Sequence, residues 1–230
     1  MAHLRDTTRR WIGLAVACAV LSLAVTVQAR QSATALPQAQ AMALALGDQP
    51  MDAAQLALGR RLTQAMTFDT SLASGLDLLL SLTRGQVLAG LPANAPTERK
   101  AVFTAALDEA LAGVKVDMMA KLNTGYSRYF AASMTPATLA ELTTFYESPL
   151  GRKMEPGSPA LSDADTQAVG QYSMDHPAIP EGIAAMVGSA TVSQEIMKRE
   201  QGAMARTFKV RFCQSLKTRG ASPPSCVGVG

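Results

Sequence analysis

Apolar residues recur every three or four positions from about residue 51 to Leu216, and no segment sustains a strict apolar–polar alternation. That period belongs to helices. The clearest run is Phe103, Leu107, Leu111, Val114, Met118 and Leu122, spaced 4, 4, 3, 4 and 4. It predicts one amphipathic helix from Thr97, as cap, through Tyr126, Tyr129 and Phe130, with Gly125 as a point of bending. Before it, the pattern predicts helices over 51–66 and 70–89, the second with Leu72, Leu76, Leu79 or Leu80, and Thr83 as its inner stripe.

The starts that follow are local in character. Thr135-Pro136 and Ser148-Pro149 each place a capping hydroxyl before a proline, whose missing N–H costs nothing in a first turn. They predict helices over 136–147 and 149–154, the latter stopped by Pro156 to Pro159. Ser162 with Asp165 has capping-box spacing. That helix ends before His176-Pro177. Pro180 opens a short helix, and Ser189 or Thr191 caps a long last one that runs to Leu216. The expected fold class is all-α: a compact domain of six to eight helices crossing at angles.

The first thirty residues read differently. Arg5, Arg9 and Arg10 precede 17 uncharged residues, Trp11 to Val27, and Val27-Gln28-Ala29 has small or short residues where a signal peptidase cuts. Residues 1–29 are therefore expected to be a secretory signal cleaved after Ala29, with a periplasmic destination. The alternative is an uncleaved inner-membrane anchor. Residues 30–50, rich in Ala and Gln, are expected to be a linker with room for a short helix. Residues 51–219 form the domain and 220–230 a Pro/Gly-rich tail.

Removing residues 1–29 leaves 18 basic and 17 acidic residues, a balance that does not point to nucleic acid. Two cysteines remain, Cys213 and Cys226. Outside the cytoplasm they are expected to pair and to tie the tail to the last helix.

The middle of the chain carries a distinctive string. Tyr126, Tyr129 and Phe130 lead to Thr135-Pro136, and then Phe145-Tyr146-Glu147-Ser148-Pro149-Leu150-Gly151-Arg152-Lys153 follows. Over about residues 100–160 this resembles the bacterial domain of unknown function 2059 family. Phe145, Tyr146, Ser148, Pro149, Gly151 and Lys153 match the family's Phe-Tyr-x-Ser-Pro-x-Gly-x-Lys pattern. The resemblance implies an exported helical domain and no particular activity. Where the family has an acid, this chain has Thr138, which weakens a capping box at Thr135.

Candidate chemistry is sparse. His176 is the one histidine beyond the signal, so a multi-histidine metal site is excluded, and no nucleophile elbow or phosphate loop is spelled out. No cofactor and no metal are expected. Asp163, Asp165 and Asp175 near His176 are the residues an acid–base hydrolase would use. Tyr126, Tyr129, Phe145 and Tyr146 are read as core first, with a binding pocket as the alternative. The last helix carries Lys198, Arg199, Arg206, Lys209, Arg211, Lys217 and Arg219, with Met197, Met204, Phe208, Phe212 and Leu216 as its apolar stripe. Arg206 and Arg211 are the chosen contacts to an anionic lipid surface or an envelope protein. A non-catalytic binding module is thus the expectation, and a hydrolase centred on His176 is the alternative.

Overall fold

The computed structural model describes residues 38–47, 49–155, 158–221 and 226. The expected signal peptide and its cleavage point, the Pro156-Gly157 breaker and most of the tail lie outside the described residues. The helices are α1 (Gln38–Leu46), α2 (Ala53–Ala65), α3 (Phe68–Ala89), α4 (Thr97–Ser133), α5 (Pro136–Glu147), α6 (Pro149–Arg152), α7 (Asp163–Asp175), α8 (Ala178–Gly188) and α9 (Val192–Thr218). A 3₁₀ turn, Ser189–Thr191, joins the last two, and no strand occurs among the described residues. The all-α expectation is met.

The 37-residue α4 is the axis of the fold, and α1, α2, α3 and α9 all pack on it. Leu107, Leu111, Val114, Met118 and Leu122 are buried along its inner side, as their spacing requires. Tyr126, Tyr129 and Phe130 continue the core. At Gly125 the helix is not interrupted. The glycine instead admits Ile196 of α9, since a Cβ there would lie 2.2 Å from the Ile196 Cδ1. Gly59 of α2 does the same at the other side, where a Cβ would stand 2.3 Å from the Ser127 carbonyl oxygen.

Three expectations need correction and one is resolved. The 30–50 stretch is no linker from residue 38 onward: α1 buries Ala41 and Ala45 in the core. Its small side chains let it lie close to α4, and Arg128 holds its end by donating to the carbonyls of Leu44 (2.9 Å) and Gln49 (2.7 Å). Along α3, Leu76 is buried and Leu72, Leu80 and Thr83 are half-buried beside it, so the stripe runs through Leu80, while Leu79 faces solvent with Leu78 and Leu82. Thr97 is the first residue of α4 and Pro96 takes the cap position without a side-chain bond. Neither Ser189 nor Thr191 caps α9, because the 3₁₀ turn runs directly into it; the Ser189 hydroxyl donates back to Met186.

Cys213 and Cys226 are bonded, with Cα atoms 5.4 Å apart. Closing a loop this short is worth ~3 kcal/mol at most through unfolded-chain entropy. Replacing both by serine is expected to lower the denaturant midpoint by that amount or less, with helix content by circular dichroism unchanged.

Candidate functional site

The Phe-Tyr-x-Ser-Pro-x-Gly-x-Lys string builds the corner between α5 and α6. Ser148 closes α5 by donating to the Phe145 carbonyl (2.6 Å) and opens α6 by accepting from the Gly151 N–H (3.1 Å). Gly151 sits against the end of α5: a Cβ would be 2.1 Å from the Phe145 carbonyl oxygen and 2.6 Å from the Tyr146 Cα. Lys153 then reaches across to α7, donating to Asp165 at 2.6 Å. Asp165 also completes the Ser162 capping box. With the Lys153 ammonium and the Ser162 hydroxyl and N–H bound to it, the Asp165 carboxyl is pulled down to about 2. Thr135 caps α5 by accepting from the Thr138 N–H (3.1 Å), and the two hydroxyls stand 2.9 Å apart. The Thr138 hydroxyl thus occupies the place of the missing acid.

The aromatic residues pack on one another in the core, some rings edge to face and others tilted. Tyr126, Tyr129 and Phe130 interlock, and Phe145 touches both Tyr146 and Tyr172. Tyr126, Tyr129 and Phe145 are buried, and the Tyr146 hydroxyl meets the Met186 sulfur at 3.5 Å. Burial pushes the Tyr146 hydroxyl up to about 12. The unfolded chain ionises its tyrosines near pH 10, so this group's stabilisation is full below pH 10 and is lost as pH rises towards 12. The loss is on the order of 2 kcal/mol. Burial pushes Tyr129 and Tyr172 upward as well, so titrating tyrosinate absorbance is expected to show several late-ionising tyrosines, with the latest step, coupled to alkaline unfolding, lost in Tyr146→Phe.

His176 ends α7 and meets a partner that spacing does not reveal. Its Nδ1 lies 2.5 Å from Glu141 of α5, and its ring stacks on Tyr172 at 4.0 Å. Asp163 and Asp165 are at the opposite end of that helix, ~16–20 Å away by helical rise. Asp175 takes a bond from Gln171 (3.0 Å). The imagined cluster of Asp163, Asp165, Asp175 and His176 is therefore not assembled. Among the described residues, no group of three His, Cys, Asp or Glu side chains converges to hold a metal.

The outer side of α9 is the other concentration of function-bearing residues. Its apolar stripe turns inward: Leu216 is buried, Met197 and Met204 pack on the core, and Phe212 meets Phe103 at 5.1 Å. Three ion pairs then lock α9 to α4, namely Arg211 with Asp117 (3.0 Å), Arg219 with Glu109 (2.9 Å), and Lys121 with Glu200. Arg211 is thus paired with Asp117 and closely fitted over Gly113. Lys198, Arg206, Lys209 and Lys217 are exposed and have no ion-pair partner among the described residues. At 100° per residue they fall within an arc of about 100° along ~28 Å of helix.

The family model for DUF2059, described as an uncharacterized protein conserved in bacteria, matches residues 120–176. The match covers 57 of the 230 residues. No curated protein and no solved structure matches the chain. The match begins within α4, later than the expected residue 100, and runs past residue 160 to His176. It therefore takes in the Lys153–Asp165 bridge and the Glu141–His176 pair along with the corner. Every residue of the DUF2059 string is consumed by capping, close approach, packing or the bridge to α7. The unpaired cations of α9 lie outside the match. Arg206 was legible as a cation on an amphipathic helix. Separating it from Arg211 required knowing that Asp117, 94 residues away, faces Arg211.

Proposed function

We propose that this protein is an exported, non-catalytic helical module that docks onto an anionic surface of the cell envelope through the outer side of α9. The observation that carries the reading is the unpaired stripe Lys198, Arg206, Lys209 and Lys217, on a helix whose Arg211, with Arg219 just past its end, is engaged with α4. Cations left solvated along one side of a rigid helix cost little in water and attract a negative surface strongly. The apolar stripe of α9 is used internally, so the contact is electrostatic and needs no insertion. Among the described residues no helix is long and apolar enough to cross a membrane. The basic, uncharged-core N-terminal stretch supports export. Flotation of the purified protein with phosphatidylglycerol vesicles, against phosphatidylcholine vesicles, is the test. Binding to the first alone, lost in high salt, is expected; equal binding to both, or to neither, would overturn the lipid reading.

A second reading rests on the Glu141–His176 pair. A carboxylate held at 2.5 Å orients an imidazole as an acid–base catalyst requires. Hydrolysis of an ester or peptide substrate that disappears in His176→Ala but survives in Asp163→Ala would favour it.

A further inference from the structure

A polar notch of about 180 Å³ opens beside the crossing of α2 and α4. Arg60, Thr63 and Gln64 line it from α2, Asp69 from the first turn of α3, and Asn123, Thr124 and Ser127 from α4. Every lining residue is polar or charged. Arg60 and Asp69 are exposed and opposite in charge, yet neither pairs with the other or with any other described residue. Arg61, one position on, shows the contrast, since it reaches Glu147 at 2.9 Å. Opposite charges that share a recess without pairing leave two charge-assisted contacts open to a third group.

The rest of the lining is rich in acceptors. The Thr63 hydroxyl donates to the Gly59 carbonyl (2.8 Å), the Ser127 hydroxyl to the Asn123 carbonyl (2.7 Å), and the Thr124 hydroxyl to the Ala120 carbonyl (2.8 Å). A hydroxyl has one proton, so these three offer only lone pairs to the notch. The Thr63 and Ser127 oxygens, both on buried residues, stand 3.3 Å apart. The Asn123 Oδ1 is buried with no hydrogen-bond partner, an unfavourable state that a donor would relieve. The joint that carries Asp69 is strained as well. Thr67 is β-branched, has φ 49°, and its hydroxyl is also buried without a partner. Strain of this kind gathers at ligand sites.

We propose that the notch binds a small zwitterion of the α-amino-acid class. The ammonium is taken by Asp69 and the acceptors of Thr63, Asn123, Thr124 and Ser127. The carboxylate is taken by Arg60, with the Gln64 amide as a second donor. A bare cation would be repelled by Arg60 and a simple anion by Asp69, so only a molecule with both charges uses both residues. Size limits the side chain. A cavity of ~150 Å³ holds benzene, and sites for drug-sized molecules begin near ~300 Å³, so the notch suits about five to eight heavy atoms. That range covers amino acids from glycine to valine. Asn123 and Ser127 each stand two positions from Gly125, which faces Ile196 of α9. Two positions are about 200° around a helix. The notch therefore opens on the side of α4 away from α9, and the site does not depend on the cationic stripe.

The test is a nuclear magnetic resonance titration of the ¹⁵N-labelled protein with L-alanine, to about 50 mM, which covers millimolar affinity. Saturable shifts are expected at the amides of residues 60–69 and 123–127. Ethylamine and propionate carry one charge each and are expected to bind at least ~10-fold more weakly. Asp69→Asn and Arg60→Gln are each expected to raise the dissociation constant for L-alanine at least ~10-fold, with the thermal midpoint little changed. No saturable shift, or shifts confined to other parts of the chain, would overturn the proposal. Ethylamine or propionate binding as well as L-alanine would overturn it too, as would both variants binding like the parent. Should Asp69→Asn disturb the first turn of α3, Arg60→Gln on α2 still decides.

Discussion

Gly151→Ala is expected to destabilise the protein by roughly 1–3 kcal/mol, although alanine is the better helix former. Propensity alone favours alanine over a helical glycine by ~1 kcal/mol. Sterics oppose it more strongly. The new Cβ would lie 2.1 Å from the Phe145 carbonyl oxygen, 2.6 Å from the Tyr146 Cα and 2.8 Å from the Phe145 carbonyl carbon. All three are backbone atoms, so no flexible side chain can yield. The α5–α6 joint must open instead. Overpacking of this kind costs ~1–3 kcal/mol, and opening the joint also loses the Ser148 cap, worth ~1 kcal/mol. It pulls Phe145 away from Tyr172 and loosens the Lys153 reach to Asp165. Gly170→Ala is the internal control. That glycine is exposed in mid-α7 and nothing lies within 4 Å of its Cβ position, so propensity acts alone and a gain of roughly 0.5–1 kcal/mol is expected. Urea unfolding of the two variants should therefore move in opposite directions. A neutral Gly151→Ala would mean that Gly151 is held for something other than the corner.

That corner was readable in the sequence because its causes are local. Thr135-Pro136, Ser148-Pro149 and Ser162 with Asp165 act within three residues of themselves, and the structure has helix starts at each. Elements whose causes are distant were less legible. α1 is short and Ala-rich with little amphipathic contrast, and it is held by Arg128, which is 84 residues from Leu44. The leucines of α3 have helical period on more than one side, and period does not say which side finds a neighbour. Only the packing on α2 and α4 selects Leu76 for burial and leaves Leu78, Leu79 and Leu82 outside. The Glu141–His176 pair likewise joins residues 35 apart through the return of α7 onto α5. Charge behaves the same way. The basic character of α9 was plain, but its division into clamps and free cations is written on α4, in Glu109 and Asp117.

That division makes the largest functional effect predictable. Reversing Lys198, Arg206, Lys209 and Lys217 to glutamate is expected to abolish anionic-vesicle binding. Each cation at an anionic leaflet is worth ~1 kcal/mol, so neutralising four removes ~4 kcal/mol, roughly a thousandfold in affinity. Reversal adds repulsion to that loss. Fold stability should change little, because the four side chains are exposed and lack ion-pair partners among the described residues. Arg211→Glu gives the contrasting result. It places a carboxylate beside Asp117 and breaks the clamp of α9 on α4, so it should lower stability while leaving the free stripe in place. Salt separates the two effects further. Screening shortens from ~10 Å at 0.1 M to ~3 Å at 1 M, so parent binding should vanish at high salt and return on dilution. If the four-fold variant still floats with anionic vesicles at low salt, the contact lies elsewhere, and the exposed leucines of α3 become the surface to test. If the variant releases vesicles while its denaturation curve overlays the parent's, the charges on α9 are a binding surface and not merely a solvated face.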